Sequence, residues 1–334
     1  MPKNVLVTRK IPDVGIGMLK NAGFNVDILP GDQPHTQAEL IDALQKKQYD
    51  AVLSLLTDQV DAKLFDAAPS VKIYANYAIG FNNMDVAEAM KRGITLTNTP
   101  GNSFSFCIAE HAIALMLALS TRLVEGDRFV RAGKYKGWDP DIFVGTDLQK
   151  KKLGLIGAGH IGERVAHHAS RGFDMEVLYY DVVKNEKIEQ EYGAKYFGTP
   201  EEVLKEADFV SLHVPLLDST KHLINADRLK LMKPSAFLVN TSRGPVVDEN
   251  ALVDALKNKV IRGAGLDVFE FEPQLAAGLA ELENVVLTPH IASARESARN
   301  DMATLAAQNI VDFLEGREPK NKVNPPAKEP AAVA

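Results

Sequence analysis

A single cysteine, Cys107, occurs in 334 residues, so an internal disulfide is excluded. No apolar run approaches the roughly twenty residues that a membrane-spanning helix needs, and no signal peptide opens the chain, so a soluble, cytoplasmic protein is expected. There is also no excess of positive charge. Lys and Arg total 38 against 44 Asp and Glu, the formal net charge is −6, and no lysine or arginine run supplies the basic face that nucleic acid requires. What is present is length and apolar content: 334 residues, 46% hydrophobic, exceed what one core usually organises and predict two domains. The terminal NPPAKEPAAVA can bury little and reads as a frayed tail.

Along the chain, NVLVT, FNVDIL, AVLSLL, VKIYANYA and ITLTN are short β-rich runs separated by helical patterns. Thr36 and Glu39 have the spacing of a capping box, and KRG at 91–93 ends a helix on glycine. After the long apolar helix candidate SFCIAEHAIALMLALSTRL and a polar, aromatic stretch around YKGWDPDIF, a second series begins: KKLGLIG, MEVLYYD, DFVSLHV, AFLVNTS and AGLDV, then VVLTPH. Thr199 and Glu202 repeat the capping box, with Pro200 at the first helical position. Two β-α series in tandem predict two parallel sheets covered by helices. A last helical pattern, from about Ser293 to Glu315, follows the final strand, and periodicity does not assign it to either series.

The second series opens on Gly157-Ala-Gly159-His160-Ile161-Gly162, directly after an apolar run and at the start of a helical pattern. In that context the first glycine permits a tight turn, the second admits a pyrophosphate close to the backbone, and the third lets the helix pack closely. The helix start adds unpaired N–H groups and a positive dipole end. Asp181 closes the next strand, 19 residues after Gly162, where a carboxylate hydrogen-bonds ribose hydroxyls and repels a 2′-phosphate. NAD is therefore expected rather than NADP. The glycine turn, with the backbone of His160 and Ile161, is the candidate cofactor site, and no chemistry is assigned to the His160 ring.

Four polar residues fall at strand ends of this second series: Arg243 after AFLVNTS, Asp267 closing GAGLDV, Glu272 in FEFEP, and His290 after VVLTP. Singly, each has an ordinary account as a surface arginine, a turn cap, a solvated acid or a structural histidine. Ligands of open α/β sheets sit beyond the carboxyl ends of the strands, and there the set suits one reaction. A 2-keto acid needs its carboxylate clamped by a bidentate cation and a proton delivered as hydride arrives. Gly244-Pro245 makes a helical continuation after Arg243 unexpected.

GLIGAGHIG with Asp181, SLHVPL, LMKPSAFLVNTSRGPVVDENAL, GAGLDVFEFEP and LTPHIASA occur in order, and with them the chain resembles the D-isomer-specific 2-hydroxyacid dehydrogenases over residues 1–320. The resemblance implies that Arg243 binds the substrate carboxylate and carbonyl, that His290 is the acid/base, and that Glu272 pairs with it. It implies that Asp267 holds the nicotinamide carboxamide, that Val214 and Pro215 lie against the adenine, and that Thr241 and Ser242 belong to the cofactor site. The backbone N–H groups of Ile79 and Gly80 would bind the carboxylate, with Leu55 nearby. Residues 1–100 and 293–334 would form a substrate domain and 101–292 an inserted NAD domain, with a substrate cleft between them. Segment 104–148 resembles the arm through which family members form homodimers.

The activity implied is NADH-dependent reduction of glyoxylate, hydroxypyruvate or pyruvate to D-2-hydroxy acids, with no metal. Two other family readings are phosphite oxidation and a non-enzymatic NAD-sensing regulator. Phosphite-oxidising relatives carry a lysine where this chain has Ile79, and the chain has no extended docking region for a regulator. TPGNSFSFCIAEH is one residue longer than the family spacing, so no role is carried onto residues 102–107, and Cys107 reads as a packing residue.

Overall fold

The computed structural model describes residues 2–323. The tail from Asn324 lies outside the described residues. The chain divides into two compact units, one holding residues 2–104 and 294–323 of the described chain and the other residues 105–293.

The first unit is built on β1 (Asn4–Val7), β2 (Asn25–Ile28), β3 (Ala51–Leu55), β4 (Ile73–Tyr77) and β5 (Thr95–Thr97). All pair in parallel in the order β2-β1-β3-β4-β5. The central AVLSL and IYANY are buried at every position, as a sheet covered on both faces requires. Between the strands run α1 (Asp13–Asn21), α2 (Gln37–Gln45), α3 (Ala62–Ala67) and α4 (Val86–Lys91). Both oxygens of the Thr36–Glu39 box are in place, and Asp61 and Asp85 cap α3 and α4. The C-terminal helix, Glu296–Leu314, packs on this unit. Gly15 of α1 lies so close to it that a Cβ there would sit 2.6 Å from the Ala303 carbonyl oxygen, and the Tyr77 hydroxyl donates to the Arg299 carbonyl at 2.9 Å. Beyond the helix the Val323 amide donates to Leu96, joining the returning chain to β5.

The second unit begins with α5 (Asn102–Ser120), which starts at the junction, and α6 (Leu123–Arg131), bent by 62° from it. Its sheet comprises β6 (Lys152–Ile156), β7 (Glu176–Tyr180), β8 (Lys195–Tyr196), β9 (Phe209–Leu212), β10 (Phe237–Asn240), β11 (Gly263–Leu266) and β12 (Val285–Leu287). These strands are parallel in the order β12-β11-β10-β9-β6-β7-β8. The helices are α7 (His160–Phe173), α8 (Glu186–Tyr192), α9 (Pro200–Glu206), α10 (Ala226–Leu231) and α11 (Glu249–Lys257). The Thr199–Glu202 box closes on α9 with Pro200 in its first turn. Chain order reverses at β6, whose neighbours are β7 on one side and β9 on the other. This is the switch point at which such sheets open a crevice beyond the carboxyl ends.

The fold class is the expected one, two parallel-sheet α/β units. One strand is added and one local expectation is corrected. The two-residue β8 has too little pattern to be seen in sequence. After Arg243 the chain does coil, in one 3₁₀ turn over Gly244–Val246, because proline is tolerated at the start of a turn, where its missing N–H has no intrahelical partner to lose, even though a longer helix does not follow. Among the described residues no single helix is long and apolar enough to cross a membrane.

The approach of α1 to the C-terminal helix is testable. Gly15→Ala pushes a methyl into backbone and is expected to destabilise the protein by about 1–3 kcal/mol. Gly17→Ala, two residues on with nothing within 4 Å of the added carbon, should stabilise α1 by roughly 0.5–1 kcal/mol. Thermal melts of the two variants are expected to move in opposite directions.

Candidate active site

At the β6–α7 turn, Gly157 has φ +96° and a Cβ there would lie 2.7 Å from the His213 carbonyl carbon. A Cβ on Gly162 would meet the Gly157 oxygen at 2.3 Å. Gly159, the N-cap of α7, has open space where its side chain would be, so the protein itself does not require glycine there. The vacant approach to an exposed helix start is what a pyrophosphate needs. His160 and Ile161, the first residues of the helix, are exposed and half-buried.

Asp181 Oδ2 accepts from the Ala158 amide at 2.7 Å and Asn185 Nδ2 donates to the Ala158 carbonyl at 2.6 Å, so the acid after β7 also steadies the turn. Beneath it the His213 ring meets the Ser211 hydroxyl at 2.9 Å, and burial pushes its pKa down to about 3, which keeps the ring neutral. Val214 packs partly on the core, Pro215 is exposed, and the Thr220 hydroxyl donates to the Pro215 carbonyl. The Thr241 hydroxyl is buried with no hydrogen-bond partner among the described residues, an orphan of the kind a bound polar group satisfies. Neighbouring Ser242 donates through N–H and hydroxyl to Asn240, whose amide donates to the Arg243 carbonyl at 2.9 Å. These features fit a dinucleotide at the switch point of this sheet.

On the same carboxyl edge, β10, β11 and β12 are neighbours, and residues far apart in sequence meet. Asp267 is fully buried. Its Oδ1 accepts from the Thr288 hydroxyl at 2.6 Å and the Ile291 amide at 2.8 Å, and its Oδ2 accepts from the Ala292 amide at 2.8 Å. His111 of α5 lies with Nε2 3.4 Å from Oδ1 and 3.0 Å from the Thr288 hydroxyl. Burial raises the Asp267 carboxyl, but the donors of His111, Thr288, Ile291 and Ala292 outweigh it and hold the group below its ordinary value.

The His290 amide donates to the Asp267 carbonyl at 2.9 Å, fixing His290 at φ +54°. Its Nδ1 is 3.1 Å from Glu272 Oε2, and Glu272 Oε1 accepts from the Phe269 amide at 2.9 Å. With Nδ1 engaged, Nε2 is the ring nitrogen left to act on a ligand. Burial raises the Glu272 carboxyl, yet the hydrogen bond and charge of His290, the Phe269 amide and the Arg243 charge bring it below its ordinary value. Burial also lowers Arg243, against the charge of Glu272, and its Nη1 donates to the Ser242 carbonyl at 2.7 Å. The 3₁₀ turn after it fits only glycine, since a Cβ on Gly244 would fall 1.8 Å from the Phe269 oxygen.

Leu55, Ile79 and Gly80 belong to the first unit. Asn98 donates to the Ile79 carbonyl at 2.7 Å and Asn76 to the Gly80 carbonyl at 3.1 Å. Because a peptide is planar and trans, holding the Ile79 C=O turns the Gly80 N–H the opposite way. The Leu55 amide donates to buried Asp58 at 2.7 Å, and Asn83 donates to the Leu55 and Asp58 carbonyls.

The structure therefore groups Arg243, Asp267, Glu272 and His290 in one unit with the glycine turn. Sequence reading missed His111 and Thr288, although a histidine inside the apolar run of α5 is the available signal. It missed the asparagines as well, which have none. Among the described residues no cluster of His, Cys, Asp or Glu could hold a metal ion.

A glycine turn at the switch point of a parallel sheet, with arginine, carboxylate and imidazole on the same edge, defines a nicotinamide-dependent dehydrogenase. Residues 113–292 match the model of the D-isomer specific 2-hydroxyacid dehydrogenase NAD binding domain. The chain is 46% identical to the glyoxylate reductase of Thermococcus litoralis, covering 97% of each, and 47% identical to that of Pyrococcus horikoshii, covering 97% and 96%. Among solved structures, a Thermus thermophilus protein matches at TM-score 0.89 and 39% identity, covering 96% of this chain and 100% of that one. An NADPH-dependent glyoxylate/hydroxypyruvate reductase from Sinorhizobium meliloti, in complex with NADP and malonate, matches at 0.84 and 31%, covering 97% of each. The chain belongs to the D-isomer-specific 2-hydroxyacid dehydrogenase family. It is an NAD-dependent dehydrogenase that reduces 2-keto acids.

Asp267→Asn places an NH₂ among donors and should cost about 1–3 kcal/mol at neutral pH. A carboxyl held below its unfolded value stabilises the fold above that value, near pH 4, and the contribution is lost as pH falls through the folded value. Urea unfolding at pH 7 and pH 3 should therefore show the gap between wild type and variant narrowing in acid. A pH-independent gap would mean that Asp267 is not charged in the fold.

Proposed function

We propose that the enzyme reduces glyoxylate, together with the small keto acids hydroxypyruvate and pyruvate, to D-2-hydroxy acids using NADH. The observation that carries this reading is the His290–Glu272 pair near the Arg243 charge, on the sheet edge that also bears the glycine turn. NADH, when bound, supplies the hydride to the keto carbon. Arg243 orients the anionic substrate through its planar donors. His290 delivers a proton from Nε2 to the carbonyl oxygen, which develops negative charge. Glu272 orients the ring through Nδ1 and sets a carboxylate 3.1 Å from it. Asp267, whose oxygens are taken by protein donors, positions the His290 loop in addition to its proposed place beside the carboxamide. In the first unit, the Ile79 and Gly80 amides are the proposed carboxylate donors. Glyoxylate reductase identity in the two archaeal relatives supports glyoxylate as the leading substrate.

Asp181 after β7 supports NADH over NADPH, and we place the homodimer contact on the α6 region, where Leu123, Val130, Tyr135, Trp138 and Val144 are all exposed. Apolar side chains gathered on one segment mark an association surface. Light scattering should give twice the chain mass, and Trp138→Asp should weaken the assembly.

His290→Gln should cut reductive kcat by roughly 10²–10⁴-fold while leaving NADH affinity nearly unchanged. Arg243→Lys keeps the charge but loses the fork, so KM should rise and kcat fall together. Equal losses of NADH affinity in both variants would contradict these roles. Asp181→Ala removes a ribose acceptor and a repulsive charge, and the NADH to NADPH ratio of kcat/KM should fall. An unchanged ratio would assign selection to other residues.

A further inference from the structure

Glu249, in the PVVDENAL stretch, is a carboxylate without an evident task. It opens α11, a position that normally leaves an acid in water near the helix start. The cap is already supplied, since Asp248 Oδ1 accepts from the Ala251 amide at 3.0 Å. Yet Glu249 is only 2% exposed. Burying a carboxylate costs several kcal/mol unless strong hydrogen bonds compensate. Both of its oxygens do find donors, and both donors lie on one distant segment: Oε2 takes the Glu270 amide at 2.6 Å and Oε1 takes the Ala276 amide at 2.7 Å. The grip is reciprocal, because the Glu249 amide donates to Glu270 Oε2 at 3.1 Å, while Glu270 Oε1 meets His222 Nε2 at 2.5 Å.

One carboxylate thus pins the amides of residues 270 and 276 to the two ends of a single small group, closing the segment between them into a loop. Glu272 stands inside that loop. Its side chain reaches back to the Phe269 amide and across to His290, and the Phe269 carbonyl is pressed against Gly244, just after Arg243.

We propose that Glu249 is a positioning residue for the reaction, a buried clamp that holds the 269–276 loop so that the Glu272 carboxylate meets His290. The inference rests on the reading of Glu272 and His290 given above. The ionisable groups around the clamp are Glu270 and His222 on its own side, and His290 and Arg243 facing Glu272. Glu249 touches neither substrate nor cofactor in this account. Its effect passes wholly through Glu272.

That makes a double-mutant cycle decisive. Reductive kcat/KM for glyoxylate is measured against pH at saturating NADH for wild type, Glu249→Gln, Glu272→Gln and the double variant, with NADH affinity from fluorescence titration. Gln keeps the size of Glu249 but offers one acceptor where two amides need one each, so the loop loses an anchor. Misplacing a catalytic group by about 1 Å can cost up to 10²-fold, and the expected loss is roughly 10–100-fold. Reduction draws a proton from the ring beside the Glu272 carboxylate, so the falling limb of the pH profile should move to lower pH in Glu272→Gln and, in the same direction, in Glu249→Gln, with NADH affinity unchanged. In the double variant the Glu249 change should cost less than about twofold beyond Glu272→Gln.

Multiplicative losses, or an unmoved limb in Glu249→Gln beside a moved one in Glu272→Gln, would overturn the clamp while leaving the Glu272–His290 pair standing. An unmoved limb in Glu272→Gln would instead overturn the pair itself, and the clamp with it. Should Glu249→Gln fail to fold, as judged by circular dichroism and NADH binding, Glu249→Asp takes its place in the cycle. It keeps the charge, but a stem one methylene shorter cannot hold both amides where they stand, and a smaller limb shift in the same direction is expected. No shift there would overturn the proposal.

Discussion

A carboxylate without solvent sits under the carboxyl edge of the second sheet. Asp267 ends β11, the strand flanked by β10 and β12, and its oxygens are taken up by Thr288, Ile291 and Ala292 with His111 close by. An ionised group so buried is tolerable only if its donors stay in place, because each one lost leaves charge uncompensated in a medium that screens poorly. Its donors are the Thr288 hydroxyl before His290 and the Ile291 and Ala292 amides just after it. The requirement that Asp267 be satisfied therefore fixes the turn that carries the imidazole, including its left-handed backbone at φ +54°. Such a conformation persists in a non-glycine residue only where the surroundings over-determine it.

The rest of the site follows from parallel topology. Every strand of the sheet delivers its following loop to the same edge, so Asp181, Arg243, Asp267 and His290 face one direction although more than a hundred residues separate the first from the last. Close backbone approaches complete the arrangement. Gly157 lets the turn press on His213, and Gly244 lets the Arg243 loop press on Phe269. Through these contacts the cofactor turn, the arginine and the carboxylate loop share a rigid frame, which is what catalysis by orientation requires.

Much of this was legible in sequence because it rests on local signals. The β-rich runs of both series, the two capping boxes and the glycine turn depend on residues within a few positions of one another, and the family motifs carry Arg243, Glu272 and His290 in order. What sequence did not show is third-order. The strand β8 is two residues long and is held as an edge by β7 alone, so its pattern is negligible. Proline after Gly244 excluded a long helix, but a single 3₁₀ turn needs no amide from it. His111, Thr288 and Glu249 act by contacts over 21 to 177 positions, and nothing in a window around them distinguishes a buried clamp from a core polar residue or a solvated acid. Asp267 looked like a strand-end polar residue, and only its four neighbours reveal that its side chain faces inward.

The central claim is that this site moves hydride from nicotinamide to one face of a keto acid while His290 supplies the proton. The most direct measurement uses NADH deuterated on the transferring position with hydroxypyruvate, following cofactor oxidation and the configuration and label of the product. The account predicts D-glycerate carrying one deuterium at C2, formed in step with cofactor oxidation. The L-isomer, an unlabelled product, or no cofactor oxidation with hydroxypyruvate, glyoxylate or pyruvate would contradict it.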